Sequence, residues 1–156
     1  MNASHGLKII LVLCLAAAAF ATKAQALPGM VTVKAAGGFA ATEQRLEKAI
    51  AANGMGLVAR ASASGGAAAR GVKIPGNAVL MVFRNDYAVR MLAASVPAGI
   101  EAPLRIYLTE NPDGSATVSY RRPSAVFAPY ASAALDAMAK ELDPVFDKIV
   151  HDAAGR

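Results

Sequence analysis

The segment LRIYLTENPDGSATVSYR, residues 104–121, carries the clearest structural pattern in the chain. Apolar and polar residues alternate on both sides of Asn111-Pro112-Asp113-Gly114, from Leu104 to Thr109 and from Ala116 to Arg121. Pro112 suits the second position of a β-turn, and Gly114 tolerates a positive φ. The segment therefore predicts an antiparallel β-hairpin, around which the other elements can be arranged.

The apolar positions also set the register of this hairpin. A type I turn with Gly114 as the bulge residue pairs Asn111 with Ser115, Leu108 with Val118 and Ile106 with Tyr120. One face is then apolar, whereas a plain two-residue turn would pair Leu and Ile with Ser and Thr. We therefore prefer the bulged register, whose other face carries Arg105, Tyr107 and Thr109 against Arg121, Ser119 and Thr117.

Strands and helices are expected to alternate upstream of the hairpin. Residues 30–35 alternate like a short strand that Gly37-Gly38 ends. Thr42 is the expected N-cap of a helix that Asn53-Gly54 stops, and residues 55–62 resume extended structure. The glycine-rich segment 64–71 is compatible with a short helix or a connector.

A continuous apolar run, AVLMVF at residues 78–83, predicts a central strand buried on both faces. Asn85 or Asp86 is expected to cap the next helix, which Pro97 and Gly99 end. After the hairpin, residues 132–152 are expected to be helical. Pro144 either kinks this last helix or starts a second one.

This order of elements predicts an α+β fold, a mainly antiparallel sheet with helices packed on one face. Residues 27–156 suit a single domain. The hydrophobic content of 55% owes much to alanine, and tryptophan is absent. Because such a core has few large anchors, we expect further burial in a homodimer.

The first 26 residues have the pattern of a cleaved secretory signal. Lys8 precedes an apolar run from Ile9 to Ala21, and Ala24-Gln25-Ala26 forms a small-x-small cleavage site. Thr22 and Lys23 interrupt the run before the roughly 18 apolar residues of a membrane span. We therefore expect cleavage after Ala26, a periplasmic or secreted product, and no stable membrane anchor.

Composition excludes several classes of chemistry for the mature chain. The only cysteine, Cys14, lies in the predicted signal, which leaves no disulfide, thiol nucleophile or sulfur-bound metal. Loss of Lys8 and Lys23 from 16 basic residues leaves 14 against 11 acidic ones, a net charge of +3 that gives little support to nucleic-acid binding. His151 alone is a thin basis for a metal site, and no motif indicates a cofactor.

The segment from Leu46 to Pro123 resembles the domain-of-unknown-function 302 family, small domains that are common in bacteria and often exported. The resemblance lies in the order and spacing of three motifs: VLMVF followed by RND at residues 79–86, GIEAPLRI at residues 99–106, and the hairpin from Asp113-Gly114 to Val118-Ser119-Tyr120. It implies an α+β fold and a tendency to dimerise. It brings no established activity.

Two hypotheses for function follow. The first is a non-catalytic binding or interaction module for a small molecule or a periplasmic protein, with Arg105, Tyr107 and Arg121 as the ligand-binding residues. The bulged register sets Arg105 opposite Arg121, and facing like charges cost stability unless an anionic ligand or a carboxylate of the protein lies between them. Exposed side chains that splay into water are the simpler interpretation of the same two arginines.

The second hypothesis is a hydrolase or isomerase that uses carboxylates, with Asp86, Glu101 and Glu110 as candidates. Such chemistry needs two carboxylates that converge in a cleft with their pKa values pushed apart. Asp86 as a helix cap, Glu101 as a loop residue and Glu110 as a hairpin-end charge are the simpler interpretations, so this hypothesis stands second.

Overall fold

A computed structural model describes residues 27–155, so the predicted signal peptide lies outside the described residues. Five strands form one sheet: β1 (Met30–Gly38), β2 (Gly56–Ala61), β3 (Asn77–Phe83), β4 (Leu104–Glu110) and β5 (Ser115–Arg121). Their order across the sheet is β1-β5-β4-β3-β2. Every pair of neighbours is antiparallel, which confirms the predicted α+β class.

The helices are α1 (Phe39–Ala52), α2 (Ala63–Ala68), α3 (Asn85–Ala94), α4 (Pro123–Phe127) and α5 (Ala133–Ala154), with 3-10 turns at Val96–Glu101 and Ala128–Tyr130. None of these described helices has the length and apolar composition of a membrane span. The longest helix, α5, packs against α1, α3, α4 and the sheet.

The hairpin of β4 and β5 has the predicted bulged register. Ile106 lies opposite Tyr120, and Leu108 lies opposite Val118. The backbone N–H of Asn111 donates to the carbonyl of Ser115 at 2.8 Å, and Gly114 takes a φ of +79°. A side chain at Gly114 would strain this turn, because L residues rarely adopt that conformation.

Burial alternates along the strands and separates two faces of the sheet. In β4, Leu104, Ile106 and Leu108 are buried, whereas Arg105 and Tyr107 are exposed. The buried side chains join one hydrophobic core with the apolar faces of α1 and α5. We call the opposite side of the sheet the open face.

Strand β3 departs from prediction in two respects. Ala78, Leu80 and Val82 are buried, but Val79, Met81 and Phe83 are only half-buried because they lie on the open face. The expected burial on both faces is therefore wrong. Strand β3 is an interior strand between β2 and β4, while β4 is the middle strand of the sheet.

Both upstream helices begin earlier than the predicted caps. Helix α1 starts at Phe39, so Thr42 lies inside it, fully buried, and its hydroxyl donates to the carbonyl of Gly37 at 3.3 Å. Helix α3 starts at Asn85 after Arg84, and neither Asn85 nor Asp86 is the capping residue. Asp86 accepts two hydrogen bonds from Arg84 instead, which satisfies its carboxylate without a cap.

Three further differences concern element boundaries. Strand β1 continues through Gly37-Gly38 by a shift of register after Lys34. Helix α5 runs unbroken past Pro144, with Ser132 as its N-cap, so no second helix starts there. Helix α4 was not predicted, because five residues after Pro123 are too few to show a helical apolar repeat.

Candidate functional site

A groove of about 300 Å³ lies at one end of the open face, where β4, β5 and the start of the described chain meet. Arg105, Tyr107 and Arg121, the three residues predicted to bind a ligand, all line this groove. The remaining lining residues are mostly apolar and include one carboxylate: Leu27, Met30, Glu101, Leu104, Ser119, Tyr120 and Val126.

The hairpin register brings the two arginines to the same place. The paired residues of β4 and β5 end with Ile106 opposite Tyr120. Arg105 and Arg121 are the next residues beyond this pair. Tyr107 lies opposite Ser119 in the next pair on the open face and is 44% exposed. Two cationic groups and an accessible aromatic ring therefore border one concave surface.

Among the described residues that line the groove, Glu101 supplies the only carboxylate. Its Oε2 lies 4.0 Å from an Nη of Arg105, and the Arg105 side chain remains 65% exposed. The other oxygen, Oε1, accepts a hydrogen bond of 3.1 Å from the hydroxyl of Tyr130. Desolvation, and then this hydrogen bond, raise the pKa of Tyr130.

The side chain of Arg121 is held by backbone carbonyls. Its Nε donates to the carbonyl of Pro28 at 3.3 Å, and an Nη donates to the carbonyl of Ala125 at 3.2 Å. Arg105 thus has a nearby carboxylate and Arg121 has two neutral acceptors. Of the two facing arginines, only Arg105 has a carboxylate of the protein nearby.

Arg122 points to the other side of the sheet, as expected for neighbours in an extended segment. Its guanidinium binds Asp147 of α5 at 2.7 Å. The hydroxyl of Tyr120, a floor residue of the groove, donates to the other oxygen of Asp147. Burial, and then the bond to Asp147, raise the pKa of Tyr120 above its usual value. Tyr120 is therefore a fixed neutral group.

The three candidate catalytic carboxylates do not meet within residues 27–155. Glu101 lines the groove, while Glu110 lies at the far end of β4 and accepts from the backbone N–H of Gly76 at 2.7 Å. Asp86 is bound by Arg84, and this hydrogen bond is the main cause of its lowered pKa. These three carboxylates therefore do not form the convergent pair that the second hypothesis requires.

Three other features of the described chain give weaker support for a site. No group of three or more His, Cys, Asp or Glu side chains in residues 27–155 could hold a metal ion. A partly open pocket beside Tyr87 and Met91 measures only about 30 Å³, enough for a single water molecule. His151 lies in the last turn of α5, the position expected for a cation beside the helix dipole.

Two parts of the groove were not predicted as binding elements. Leu27 and Met30 form a wall although they are far from the hairpin in sequence, and Glu101 was considered only as a catalytic candidate. The one available signal was the spacing of Glu101 and Arg105, an acid and a base four residues apart. No local signal indicates that the amino-terminal residues cross to β5.

Comparison with known proteins gives a similar fold among solved structures and a match to one family model. The crystal structure of an uncharacterized conserved protein DUF302 from Bacillus stearothermophilus superposes with a TM-score of 0.72 at 18% identity, covering 80% of this chain and 98% of that chain. At this identity the likeness shows the fold alone. The comparison with curated proteins gave no match. The family model described as "Domain of unknown function DUF302" matches residues 31–153, well beyond the segment that carried the resemblance. The chain therefore belongs to the domain-of-unknown-function 302 family.

Proposed function

We propose that the chain is an exported, periplasmic or secreted, non-catalytic binding module whose groove takes a small organic anion with an apolar body. The observation that carries this proposal is the presence of Arg105, Tyr107 and Arg121 on one groove of about 300 Å³. That volume is at the lower end of the range typical of small-molecule sites.

The charges and the lining support this chemical class of ligand. Two arginines against the single carboxylate of Glu101 leave the groove with an excess positive charge. The Arg105 guanidinium is the available anchor, because it is mostly exposed and lies 4.0 Å from Glu101 rather than in a close ion pair. The apolar walls and the exposed ring of Tyr107 favour a ligand that carries a hydrocarbon or aromatic part.

A titration of the mature chain with benzoate tests this proposal, with benzamide as a neutral ligand of the same shape. We expect benzoate to bind and benzamide to bind more weakly. Arg105→Glu should weaken benzoate binding about tenfold or more, because a hydrogen bond to a charged group is worth roughly 1.5–3 kcal/mol. Isothermal titration calorimetry gives both affinities.

Arg70→Glu provides the matched control. Arg70 is exposed and follows α2, outside the groove, so this variant makes the same change of charge at a distant position. It should bind benzoate as the unaltered protein does. The proposal fails if Arg105→Glu retains the original affinity, or if benzoate and benzamide bind equally well.

We also propose that the module is a homodimer in which a second copy covers the β2–β3 side of the open face and leaves the groove accessible. Half-buried Val79, Met81 and Phe83 follow one another along β3 on this side. Such an apolar row favours burial against a partner. Sedimentation velocity should show a dimer for the mature chain and a monomer for Met81→Lys; a monomer in both cases contradicts the proposal.

A further inference from the structure

The first four described residues form one wall of the groove. Leu27 and Met30 line it, and Pro28 and Gly29 lie between them. We call residues 27–30 the strap. Leu27 is 57% exposed, so this wall is in contact with solvent as well as with the groove.

Three contacts fix the strap on β5 and α4. The Nε of Arg121 donates to the carbonyl of Pro28 at 3.3 Å, and the backbone N–H of Arg122 donates to the carbonyl of Gly29 at 2.8 Å. Gly29 has a φ of +69°, and a Cβ placed on it would lie 2.2 Å from the Cβ of Ala125. Only glycine fits this approach, so the strap has a defined position rather than a loose end.

The predicted cleavage after Ala26 changes the chemistry of this wall. It converts the backbone nitrogen of Leu27 from a neutral peptide group into an α-amino group, whose ordinary pKa of about 7.7–8.0 keeps it largely cationic at neutral pH. That nitrogen is the backbone nitrogen of a residue that lines the groove. In the precursor the same atom carries no charge and is bonded to the rest of the signal.

We infer that the α-ammonium group of Leu27, created by signal cleavage, is an anion-binding group of the groove, so that the site is completed by maturation. This inference rests on the proposed function and on cleavage after Ala26. The α-ammonium group adds a third positive charge to those of Arg105 and Arg121, against the one carboxylate of Glu101. The precursor therefore binds small organic anions more weakly than the mature chain does.

The experiment compares three forms of the protein with benzoate as the probe. The first begins at Leu27 with a free amino group, the second is the same chain acetylated at that nitrogen, and the third begins at Ala24 and retains three signal residues. We expect the acetylated and the extended forms to bind benzoate about fivefold more weakly, the effect of one unit charge about 4 Å away in water.

Displacing the strap tests whether the effect is local. Gly29→Val forces the strap away from Ala125, so acetylation of this variant should no longer change the affinity for benzoate. Gly71→Val is the control, because Gly71 has a φ of +73° with no atom within 4 Å of an added Cβ, and it introduces similar backbone strain without moving the strap. In Gly71→Val, acetylation should still weaken binding about fivefold.

The outcomes separate the inference from the proposed function. If the three forms bind benzoate with equal affinity, the inference is overturned. The proposed function still stands in that case, because all three forms bind the anion. Acetylation that weakens binding equally in Gly29→Val and Gly71→Val also overturns the inference, because the effect is then not local to the strap. A mature chain that does not bind benzoate overturns both.

Discussion

The guanidinium of Arg122 lies 2.7 Å from the carboxylate of Asp147 and joins the end of β5 to α5. Asp147 also accepts a hydrogen bond from the hydroxyl of Tyr120. Burial acts to raise the pKa of Asp147, but the hydrogen bonds from Tyr120 and Arg122 outweigh it, so its pKa lies below the usual value. One carboxylate therefore holds the floor of the groove against the longest helix.

We expect Asp147→Asn to lower the free energy of unfolding by about 1–2 kcal/mol, because it weakens two charge-assisted hydrogen bonds, one of them to the largely buried Tyr120. Urea denaturation monitored by circular dichroism measures this change. Asp152→Asn is the control: Asp152 lies on the same helix, where its exposed carboxylate pairs with Lys148 and accepts a hydrogen bond of 3.1 Å from Asn53, and its loss should cost less. An equal loss in both variants would contradict the special role of Asp147.

The same carboxylate predicts how stability depends on pH. A group whose pKa is lower in the folded state stabilises the fold above its unfolded pKa, and this contribution disappears as the pH falls through the folded value. For Asp147 the loss begins near its ordinary value of 3.8. The difference in unfolding free energy between the unaltered protein and Asp147→Asn should therefore be constant near neutral pH and shrink below pH 3.8. If the difference in unfolding free energy grows on acidification instead, the pKa of Asp147 is raised on folding rather than lowered.

Substitutions at two neighbouring positions on β4 should have different effects, one on stability and the other on benzoate binding. Ile106 is fully buried, so Ile106→Ala should lower the free energy of unfolding by about 2–5 kcal/mol. Tyr107 is 44% exposed on the open face, and Tyr107→Ala should cost less than about 1 kcal/mol while it weakens benzoate binding. Urea denaturation and calorimetric titration test the pair. Loss of stability in Tyr107→Ala as large as in Ile106→Ala would contradict the assignment of the two faces.

The sequence was most informative where strand alternation and turn chemistry act together. Gly114 and the apolar positions of the hairpin determine its register, and this register suffices to place Arg105, Tyr107 and Arg121 on one face. Helix starts were less predictable, because the hydroxyl of Thr42 binds a carbonyl of the preceding strand instead of capping the helix. The strap could not be predicted, because the contact between Arg121 and Pro28 joins residues that only the completed sheet brings together.

Glu101 provides the sharpest test of what the groove selects. Its carboxylate lies 4.0 Å from Arg105 and competes with any anionic ligand for that guanidinium. Glu101→Gln removes the charge and retains an oxygen that can accept the hydrogen bond from Tyr130. We therefore expect Glu101→Gln to bind benzoate about fivefold more tightly, the effect of one unit charge near 4 Å in water.

Glu110→Gln is the matched control for this prediction, because Glu110 lies at the far end of β4 and does not line the groove. Its affinity for benzoate should not change. Calorimetric titration at low ionic strength measures both variants, since salt screens charges of this kind. Weaker binding by Glu101→Gln would mean that the carboxylate contributes to recognition, and the groove would then select a ligand that carries a cationic or hydrogen-donating group beside its anion.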